Sequence, residues 1–458
     1  MWFRDDLRVA DNPALTAAVD RGEPVVAVYV LDEVSPGIRP RGGASTWWLH
    51  ESLLCLEHSL AELNIPLVLR AGPAAGVIAD VVRESKATAV TWNRRYAAGE
   101  IAVDAQLTAQ LRSGGVRVES FQASLLFEPW VITTGQGAPY SVFTPFWRSC
   151  QNADEPRQPM PVPSAVSTRA SGLTSDSLES WALQPSNPDW ASGLRGAWNP
   201  GESAAHARLQ AFLADDLDHY ADGRDTPANP VTSRLSPHLR WGELSAHQIW
   251  HEVERIRAGL SASGARGATR FLTELGWREF AWHVLFHFPK LAESNWRDEF
   301  NAFPWPPLDR RALVAWQGGN TGVPLVDAGM RELWHTGTMH NRVRMVVASF
   351  LTKNLLIDWR EGERWFWDTL VDADAASNAF NWQWVAGSGA DAAPYFRVFN
   401  PELQAKKFDP QSTYIRRHVS EWGTEAYPEP IVDLAESRQA ALAAHHSMMQ
   451  HKQEDAFA

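Results

Sequence analysis

The feature that most constrains this fold is a change of sequence pattern at about residue 203. Before it, short apolar runs alternate with segments of helical periodicity; the runs read "PVVAVYVLD", "IPLVLRAG", "ATAVTWN" and "VRVESFQAS". After it, the periodicity is helical and convincing strand patterns are few. Alternating strands and helices are typical of a doubly wound parallel sheet, whereas a long helical stretch predicts an all-α bundle. We therefore predict a Rossmann-like α/β domain followed by an all-helical domain.

The segment between these halves is rich in proline. Pro156, Pro161 and Pro188 stand there among Ser, Asp and Asn residues, a composition that favours a connector over a packed element. A chain of 458 residues is long enough for two domains. We place the α/β domain at 1–130, the interdomain linker at 131–202 and the helical domain at 203–458. The α/β part lacks a GxGxxG motif after a strand, so it lacks the dinucleotide fingerprint.

Charge and cysteine content exclude several classes of protein. A formal net charge of −12 argues against general coating of nucleic acid, although it allows a local basic face. Cys55 and Cys150 are the only cysteines and form no CxxC, which excludes a disulfide framework and a cysteine-ligated iron–sulfur cluster. The sequence shows no apolar run of membrane-spanning length and no signal peptide. We predict a cytoplasmic monomer without a membrane partner.

The segment "FLTELGWREFAWHVLFHFP", residues 271–289, offers the first candidate site. Glu274, Trp277 and Arg278 share one helix face, and Glu274 and Arg278 have the spacing of an i,i+4 ion pair. Such a face is either a solvent-exposed pair beside a core Trp or part of a binding site. Glu279, His283 and His287 share another face, but HxxxH without the adjacent Glu is a weak zinc signal, and we predict no metal.

Residues 331–360 offer a second candidate, a basic face. They hold Arg331, Arg342, Arg344, Lys353 and Arg360 against Glu332 and Asp358, a local charge of +3. Phosphate contact and base stacking would suit such a face, and so would a solvated helix.

Two further stretches are rich in polar groups. "TSRLS", with Thr232, Ser233 and Ser236 around Arg234, offers hydroxyl and N–H groups for a pyrophosphate, or an ordinary helix cap. "SNAFNWQWVAGSGADAAPYFRVFNP", residues 377–401, mixes amides and indoles, which suits a pocket for a large flat ligand with polar edges.

Together these segments resemble the DNA photolyase/cryptochrome family, most closely the class I cyclobutane pyrimidine dimer photolyases. The resemblance covers nearly the whole chain through the following motifs: "WFRDDLRVADNPAL", "YSVFTPFWR", "TSRLSPHLRWGELS", "ELGWREF", "TGVPLVDAGMREL", "MHNRVRMVVASFLTKNLLIDWREGE" and "DADAASNAFNWQWVAGSGADAAPYFRVFNP". It implies a folded FAD in the helical domain, beneath a cavity for a pyrimidine dimer flipped out of UV-damaged DNA. Excited FADH⁻ would donate an electron to the dimer, the cyclobutane ring would open, and the electron would return.

The resemblance also implies roles for individual residues. Asn378 would face the flavin N5, with Asp372 and Asp374 near the polar edge of the flavin. The other expected FAD contacts are Tyr220, Thr232, Ser233, Arg234, Leu235, Ser236, Phe271, Arg278, Asn341 and Arg344. Trp277 and Trp384 would sandwich the dimer, and Met345 would contact the lesion. Glu274 would hydrogen-bond the pyrimidine carbonyl and stabilise the radical anion after electron transfer.

Further roles concern DNA and electron transfer. Arg224, Arg342, Arg397 and Gln404 are expected at the DNA backbone. Trp382 and Trp359 match the inner and middle members of the family's photoreduction chain. Trp305 is the expected outer member, although the matching position is nearer Pro306.

Some positions depart from the family pattern. Met1 stands where the first strand normally ends, so we expect a longer natural start and a gap in the parallel sheet. Thr338 and Phe271 occupy positions that are often Trp, which predicts an altered fit of the flavin. Glu100 matches a folate contact, but Gly99 replaces the expected Asn beside it, so a folate antenna, a deazaflavin antenna and an empty site all stay open.

Two alternatives to dimer repair fit the sequence less well. A cryptochrome, a blue-light signalling protein, would often carry a long C-terminal tail and lose cavity residues, whereas this chain keeps Glu274, Trp277, Met345, Asn378 and Trp384. A (6-4) photolyase would need a catalytic His at the cavity, for which the sequence has no matching motif.

Overall fold

The amino-terminal half is an α/β layered domain. The computed structural model describes residues 1–168, 170, 172–392 and 396–457. Five parallel strands, β1 Trp2–Phe3, β2 Ala27–Leu31, β3 Leu67–Ala71, β4 Ala89–Asn93 and β5 Arg117–Phe121, lie in the order β3-β2-β1-β4-β5. Helices α1 Pro13–Val19, α2 Gly43–Glu62, α3 Ala74–Ser85 and α4 Ala98–Ser113 connect them. The predicted doubly wound parallel sheet is confirmed.

The short first strand corrects the expectation of a gap across the sheet. Trp2 pairs with Val28 on one side and Trp92 on the other, so β1 joins β2 to β4. The gap is confined to the edge beside Met1, where a cavity of about 620 Å³ opens among the first residues of the strands. Two apolar residues therefore suffice to keep the strand order, because both faces of β1 are buried.

The proline-rich connector is packed rather than free. It contains α5 Phe143–Asn152, a short 3₁₀ helix Leu178–Trp181 and α6 Ser192–Ala197. Leu178, Leu183, Leu194 and Trp198 are buried in a core shared with the α/β domain. The expectation of an unpacked segment was wrong. The buried apolar residues are widely spaced among Pro, Ser, Asp and Asn, so the overall composition of the segment does not reveal them. The boundaries at 130 and 202 stay predictions.

After the connector, the described part of the chain is helical, as predicted. The helices are α7 Glu202–Ala211, α8 Leu217–Gly223, α9 Ser236–Arg240, α10 Ala246–Arg257, α11 Ala262–His287, α12 Arg310–Gln317, α13 Pro324–Thr336, α14 Asn341–Ser349, α15 Trp359–Thr369, α16 Ser377–Ala386, α17 Pro401–Phe408, α18 Thr413–His418 and α19 Leu434–Phe457. Single π-helical turns, Phe212–Asp216 and Phe350–Asn354, follow α7 and α14. No described helix is long and apolar enough to span a membrane.

Local sequence explains where the helices around the site begin and end. The Ser261 hydroxyl accepts a hydrogen bond from Gly264 N at the start of α11. The Asp358 carboxylate accepts one from Arg360 N at the start of α15. Gly387, with φ of +97°, ends α16 in the left-handed conformation that glycine adopts without strain.

The two halves share one core. Trp241 and Val371 of the helical half are buried with Trp47 and Trp48 of α2. Glu243 is fully buried and accepts hydrogen bonds from Trp48 Nε1 at 3.0 Å and Gly201 N at 2.8 Å, with Ser52 and His238 as further partners. A buried carboxylate with this many donors is stable only while both halves are in place.

Candidate functional site

A chain of charged contacts joins three segments that are distant in the sequence. Glu274 on α11 forms an ion pair with Arg224, which follows α8, and a second one with Arg270 at 3.3 Å. Arg224 lies beside Asp225, which binds Arg342 Nη2 at 2.9 Å on α14. Arg342 Nη1 in turn lies 3.9 Å from the Met345 sulfur.

These contacts correct the predicted pair between Glu274 and Arg278. Arg278 Nη1 instead donates to Ser124 O at 2.9 Å and to Glu279 Oε1 at 3.2 Å. Arg278 therefore turns toward Ser124 in the α/β half and not toward Glu274. Together with Asp374 it lines a small cavity of about 40 Å³ at their interface. A contact of Arg278 or Asp374 with FAD stays a prediction.

Trp277 and Trp384, the two tryptophans predicted to form the walls of a lesion cavity, are each held by neighbouring side chains or backbone. Trp277 stacks on Phe143 of α5, with ring centroids 3.7 Å apart and planes 10° from parallel. Phe380 of α16 packs on it at 6.2 Å. Trp384, also on α16, donates its indole N–H to Asp391 O at 3.1 Å and lies 6.0 Å from the Arg397 guanidinium. Both proposed walls are therefore rigidly held on two helices that pack together.

Asn378 is held by a carboxylate on the neighbouring helix. Its amide Nδ2 donates to Glu363 O at 3.0 Å and to Glu363 Oε1 at 2.8 Å. Glu363 also binds the Arg39 guanidinium through both carboxylate oxygens, at 2.7 and 2.9 Å. Both amide hydrogens of Asn378 are thus used, and its oxygen is presented elsewhere as an acceptor.

Three expected FAD contacts, Asp372, Ser236 and Arg344, bind one another. The Asp372 carboxylate accepts from Ser236 Oγ at 2.7 Å and from Arg344 Nη2 at 3.0 Å. Thr338 Oγ1 takes a hydrogen bond from the same Arg344 Nη2 at 3.3 Å. Thr338 therefore adds a polar contact at a position where an indole was expected. Asn341, the first residue of α14, is exposed one turn away.

The "TSRLS" loop offers unused donors. Arg208 fixes its shape by donating to Ser233 O at 2.8 Å and Thr232 O at 2.9 Å. Within the described residues, the backbone N–H groups of 232–235 find no acceptor. Free N–H and hydroxyl groups in one loop fit the phosphates of a dinucleotide. The Arg234 side chain points elsewhere: its guanidinium lies 4.2 Å from the Trp198 ring centroid.

Next to this loop lies an aromatic cluster. Tyr220 of α8 and Phe271 of α11 meet edge to face at 5.8 Å, and both contact Phe212. Leu235 is buried in the same core. Phe271, at a position where Trp was expected, is thus packed against Phe212 and Tyr220.

The two inner tryptophans of the predicted electron chain are buried. Trp382 packs against Phe366 at 5.0 Å, and a Cβ on Gly362 would lie 2.0 Å from its ring. Trp359 donates its indole N–H to Asn295 Oδ1 at 2.9 Å. Trp305 is only partly buried at the rim of the same core. Trp382 and Trp359 are thus equally enclosed and only Trp305 approaches the surface. Their electron-transfer role stays a prediction.

The predicted basic face does not form. Arg331 binds Glu421 at 2.7 Å, Arg342 binds Asp225, Arg344 binds Asp372 and Arg360 binds Asp358. Lys353 is buried, donates to Ala386 O, and burial holds its pKa well below the usual range. Most of the acids involved lie outside residues 331–360, so the local charge count missed them. Arg397 and Gln404 stay the expected DNA contacts, and Gln404 Oε1 is buried without a partner in the described structure.

The carboxyl and imidazole groups on the other face of α11 are bound within the protein. Glu279 accepts from Leu126 N at 2.8 Å, and His283 Nε2 accepts from Tyr140 N at 3.0 Å. Burial raises the pKa of Glu279 to about 7 and lowers that of His283 to about 4. His287 contacts Pro129 O. In the described residues, no group of three or more His, Cys, Asp or Glu side chains could hold a metal ion.

Several site residues were not singled out from the sequence. Phe143 lies in the quoted "YSVFTPFWR" motif, but nothing there shows that it stacks on Trp277. Glu363 and Asp225 are ordinary acids in sequence, and Arg39 lies in the other domain. The only available signals were that Glu363 ends a quoted motif and that Asp225 follows Arg224, an expected DNA contact.

Comparison with known proteins identifies the family of the chain. The family model for DNA photolyase matches residues 1–164, and the one for the FAD binding domain of DNA photolyase matches residues 271–424. The deoxyribodipyrimidine photo-lyase of Agrobacterium fabrum is 48% identical over 97% of both chains. Cryptochrome-1 of Arabidopsis thaliana is 38% identical over 92% of this chain and 62% of its own.

A solved structure refines the comparison. A bacterial class III photolyase from Agrobacterium tumefaciens superposes with a TM-score of 0.94, at 47% identity over 98% of this chain and 97% of its own. The expected likeness was to class I enzymes, whereas this solved relative is described as class III. The shared sheet, the helical FAD-binding domain and these matches together lead to one conclusion: the chain belongs to the DNA photolyase/cryptochrome family.

Proposed function

We propose that this protein is a deoxyribodipyrimidine photo-lyase that repairs cyclobutane pyrimidine dimers in DNA under blue or near-UV light. The carrying observation is the series of ion pairs that joins Glu274, on the helix of Trp277, through Arg224 and Asp225 to Arg342. Arg342 in turn contacts the Met345 sulfur. The likeness to a class III enzyme supports placing it in that class. The 48% identity to a photo-lyase, against 38% to a cryptochrome, favours repair over signalling.

The residues present fit an FAD. The loop donors of Thr232 and Ser233 would hold the FAD phosphates. Ser236 and Arg344, which both donate to Asp372, would contact the polar edge of the cofactor. Asn378 would face the flavin ring. When bound, reduced and excited by light, FAD supplies the electron that opens the dimer. Folate and deazaflavin both stay candidates for a second, light-harvesting chromophore.

The chain itself would bind and orient the lesion. Trp277 and Trp384 would stack on the flipped-out pyrimidines, because every base has an aromatic face. Glu274, paired with Arg224 and Arg270, offers acceptor oxygens, so its partner would be a pyrimidine N3–H. Arg224 beside it would donate to a carbonyl oxygen. This pairing assigns the carbonyl contact to the arginine and not to the carboxylate.

The test is light-dependent loss of a thymine dimer from an oligonucleotide, with the photoreduced holoenzyme. Dark reactions and a (6-4)-lesion oligonucleotide serve as controls. We expect loss of the thymine dimer only under blue light. No loss with fully reduced, bound FAD would refute the proposal and favour a cryptochrome, while repair of the (6-4) lesion alone would change the substrate class.

A matched pair of variants tests the cavity wall. Trp384→Ala removes a proposed stacking partner, which is worth about 1–3 kcal/mol per base and so weakens dimer binding by roughly 5- to 150-fold. Trp334→Ala removes an indole that is 58% exposed and stacks on Trp365. Equal dimer affinity of the two variants would contradict the assigned cavity.

A further inference from the structure

A loop of the α/β half docks tightly on helix α15 of the helical half. Trp367 Nε1 donates to Pro40 O at 2.9 Å, and Gly43 N donates to Asp368 Oδ1 at 2.8 Å. A Cβ on Gly42 would lie 2.2 Å from Trp367 O, so the backbones approach as closely as glycine allows. The position of this loop relative to α15 is therefore fixed.

Arg39 extends from this loop to a buried carboxylate. Its guanidinium binds both oxygens of Glu363, at 2.7 and 2.9 Å, and lies 4.0 Å from the Trp367 ring centroid. The Glu363 side chain is 4% exposed, whereas that of Arg39 is 32% exposed. A two-point arginine–carboxylate contact fixes the orientation of the carboxylate and offsets its charge at the same time.

Glu363 determines which way the Asn378 amide faces. Both hydrogens of Asn378 Nδ2 are directed to Glu363, one to its backbone oxygen and one to Oε1, the oxygen that also binds Arg39 Nη1. The Asn378 oxygen must then lie on the opposite side, as an acceptor. An acceptor is what the N5–H of a reduced flavin would need.

We infer that Arg39 is a positioning residue that sets the redox properties of the bound flavin from the other domain. It acts through Glu363 on Asn378, and the inference rests on the proposed flavin contact of Asn378. Without Arg39, the Glu363 charge would be buried with Asn378 as its remaining side-chain partner. A nearby uncompensated anion disfavours a reduced flavin that is itself anionic. Seating of the α/β half would therefore favour the reduced cofactor.

The experiment is a spectroelectrochemical titration of the holoenzyme without DNA or repair. Arg39→Gln should lower the flavin midpoint potential relative to the parent and shift the infrared band of the Asn378 amide. Arg39→Lys, which keeps the charge but loses the two-point contact, should fall between them. The double variant Arg39→Gln/Glu363→Gln, which removes both charges, should return toward the parent potential.

The matched control is Arg70→Gln. Arg70 binds Glu84 through two nitrogens, at 2.7 and 3.4 Å, but wholly within the α/β half. It should leave the midpoint potential and the amide band unchanged. Parent-like values in Arg39→Gln, or in Arg39→Lys if the first variant does not retain FAD, would overturn the inference. Because no lesion is present, that outcome is distinct from failure of the proposed repair activity.

Discussion

Gly362 allows a test of how tightly Trp382 is packed. In Gly362→Ala the new Cβ would lie 2.0 Å from Trp382 Cη2, with Cζ3 and Cζ2 at 2.5 and 2.6 Å. Carbon atoms normally rest about 3.5–4.0 Å apart, so the ring or helix α15 must move by roughly 1.5 Å. Trp382 has little room to move, because it is 2% exposed and packs against Phe366 and Trp316.

The expected net effect is destabilisation of about 2 kcal/mol. Overpacking a core costs about 1–3 kcal/mol, and here the contact favours the upper end. Replacing Gly by Ala inside a helix gives back about 1 kcal/mol. A net loss of about 2 kcal/mol corresponds to a Tm roughly 4–8 °C lower for a domain of this size. Light-driven reduction of bound FAD should also slow, because the displaced indole is the proposed inner electron carrier.

Thermal and urea unfolding of the holoenzyme would measure this effect against Gly76→Ala. Gly76 also lies in a helix, α3, but a Cβ there meets nothing within 4 Å. The control should be neutral or up to about 1 kcal/mol more stable than the parent. If Gly362→Ala matched Gly76→Ala in stability, the reasoning from close packing would be refuted.

Three further predictions follow from buried polar contacts. Burial raises the pKa of Glu279 from 4.5 in the unfolded chain to about 7, so its contribution to the free energy of unfolding falls as pH rises between these values. Glu279→Gln should remove this part of the pH dependence in urea unfolding, and an unchanged pH dependence would contradict the assignment. Asp372→Asn breaks the ion pair with Arg344 and should raise the dissociation constant for FAD by about tenfold, measured by flavin fluorescence; unchanged affinity would remove Asp372 from the site. Trp359→Phe should slow light-driven reduction of FAD, whereas Trp334→Phe should not, and equal rates would exclude Trp359 as a carrier.

Much of the fold could be predicted from the sequence because its signals are local. The apolar runs correspond to β2, β3, β4 and β5, and the helical periodicity after residue 203 corresponds to α7–α19. The connector was misjudged because proline content is a local signal, whereas burial of Leu194 and Trp198 depends on a surface built by α2. Only two residues of β1 lie in the sheet, and their pairing depends on β2 and β4.

The site could be predicted only as a set of residue types. The sequence placed Asn378 and Arg344 in a pocket, but their partners Glu363 and Asp372 could not be paired with them from spacing. The Arg39–Glu363 contact joins residues 324 positions apart. The basic-face prediction failed for the same reason, since Arg331 is neutralised by Glu421, far along the chain. Side-chain pairing across such separations is decided by the packing of whole helices.

The core that Trp241 and Val371 share with Trp47 and Trp48 has a consequence for protein engineering. The α/β half cannot be exchanged between relatives as a separate unit. Removing it would expose the indole of Trp241 to water and leave the buried Glu243 carboxylate without its donor Trp48. The isolated helical half would aggregate on expression. A transplanted α/β half would need every residue of this shared core, α2 included. Exchange of surface loops alone is therefore the workable design.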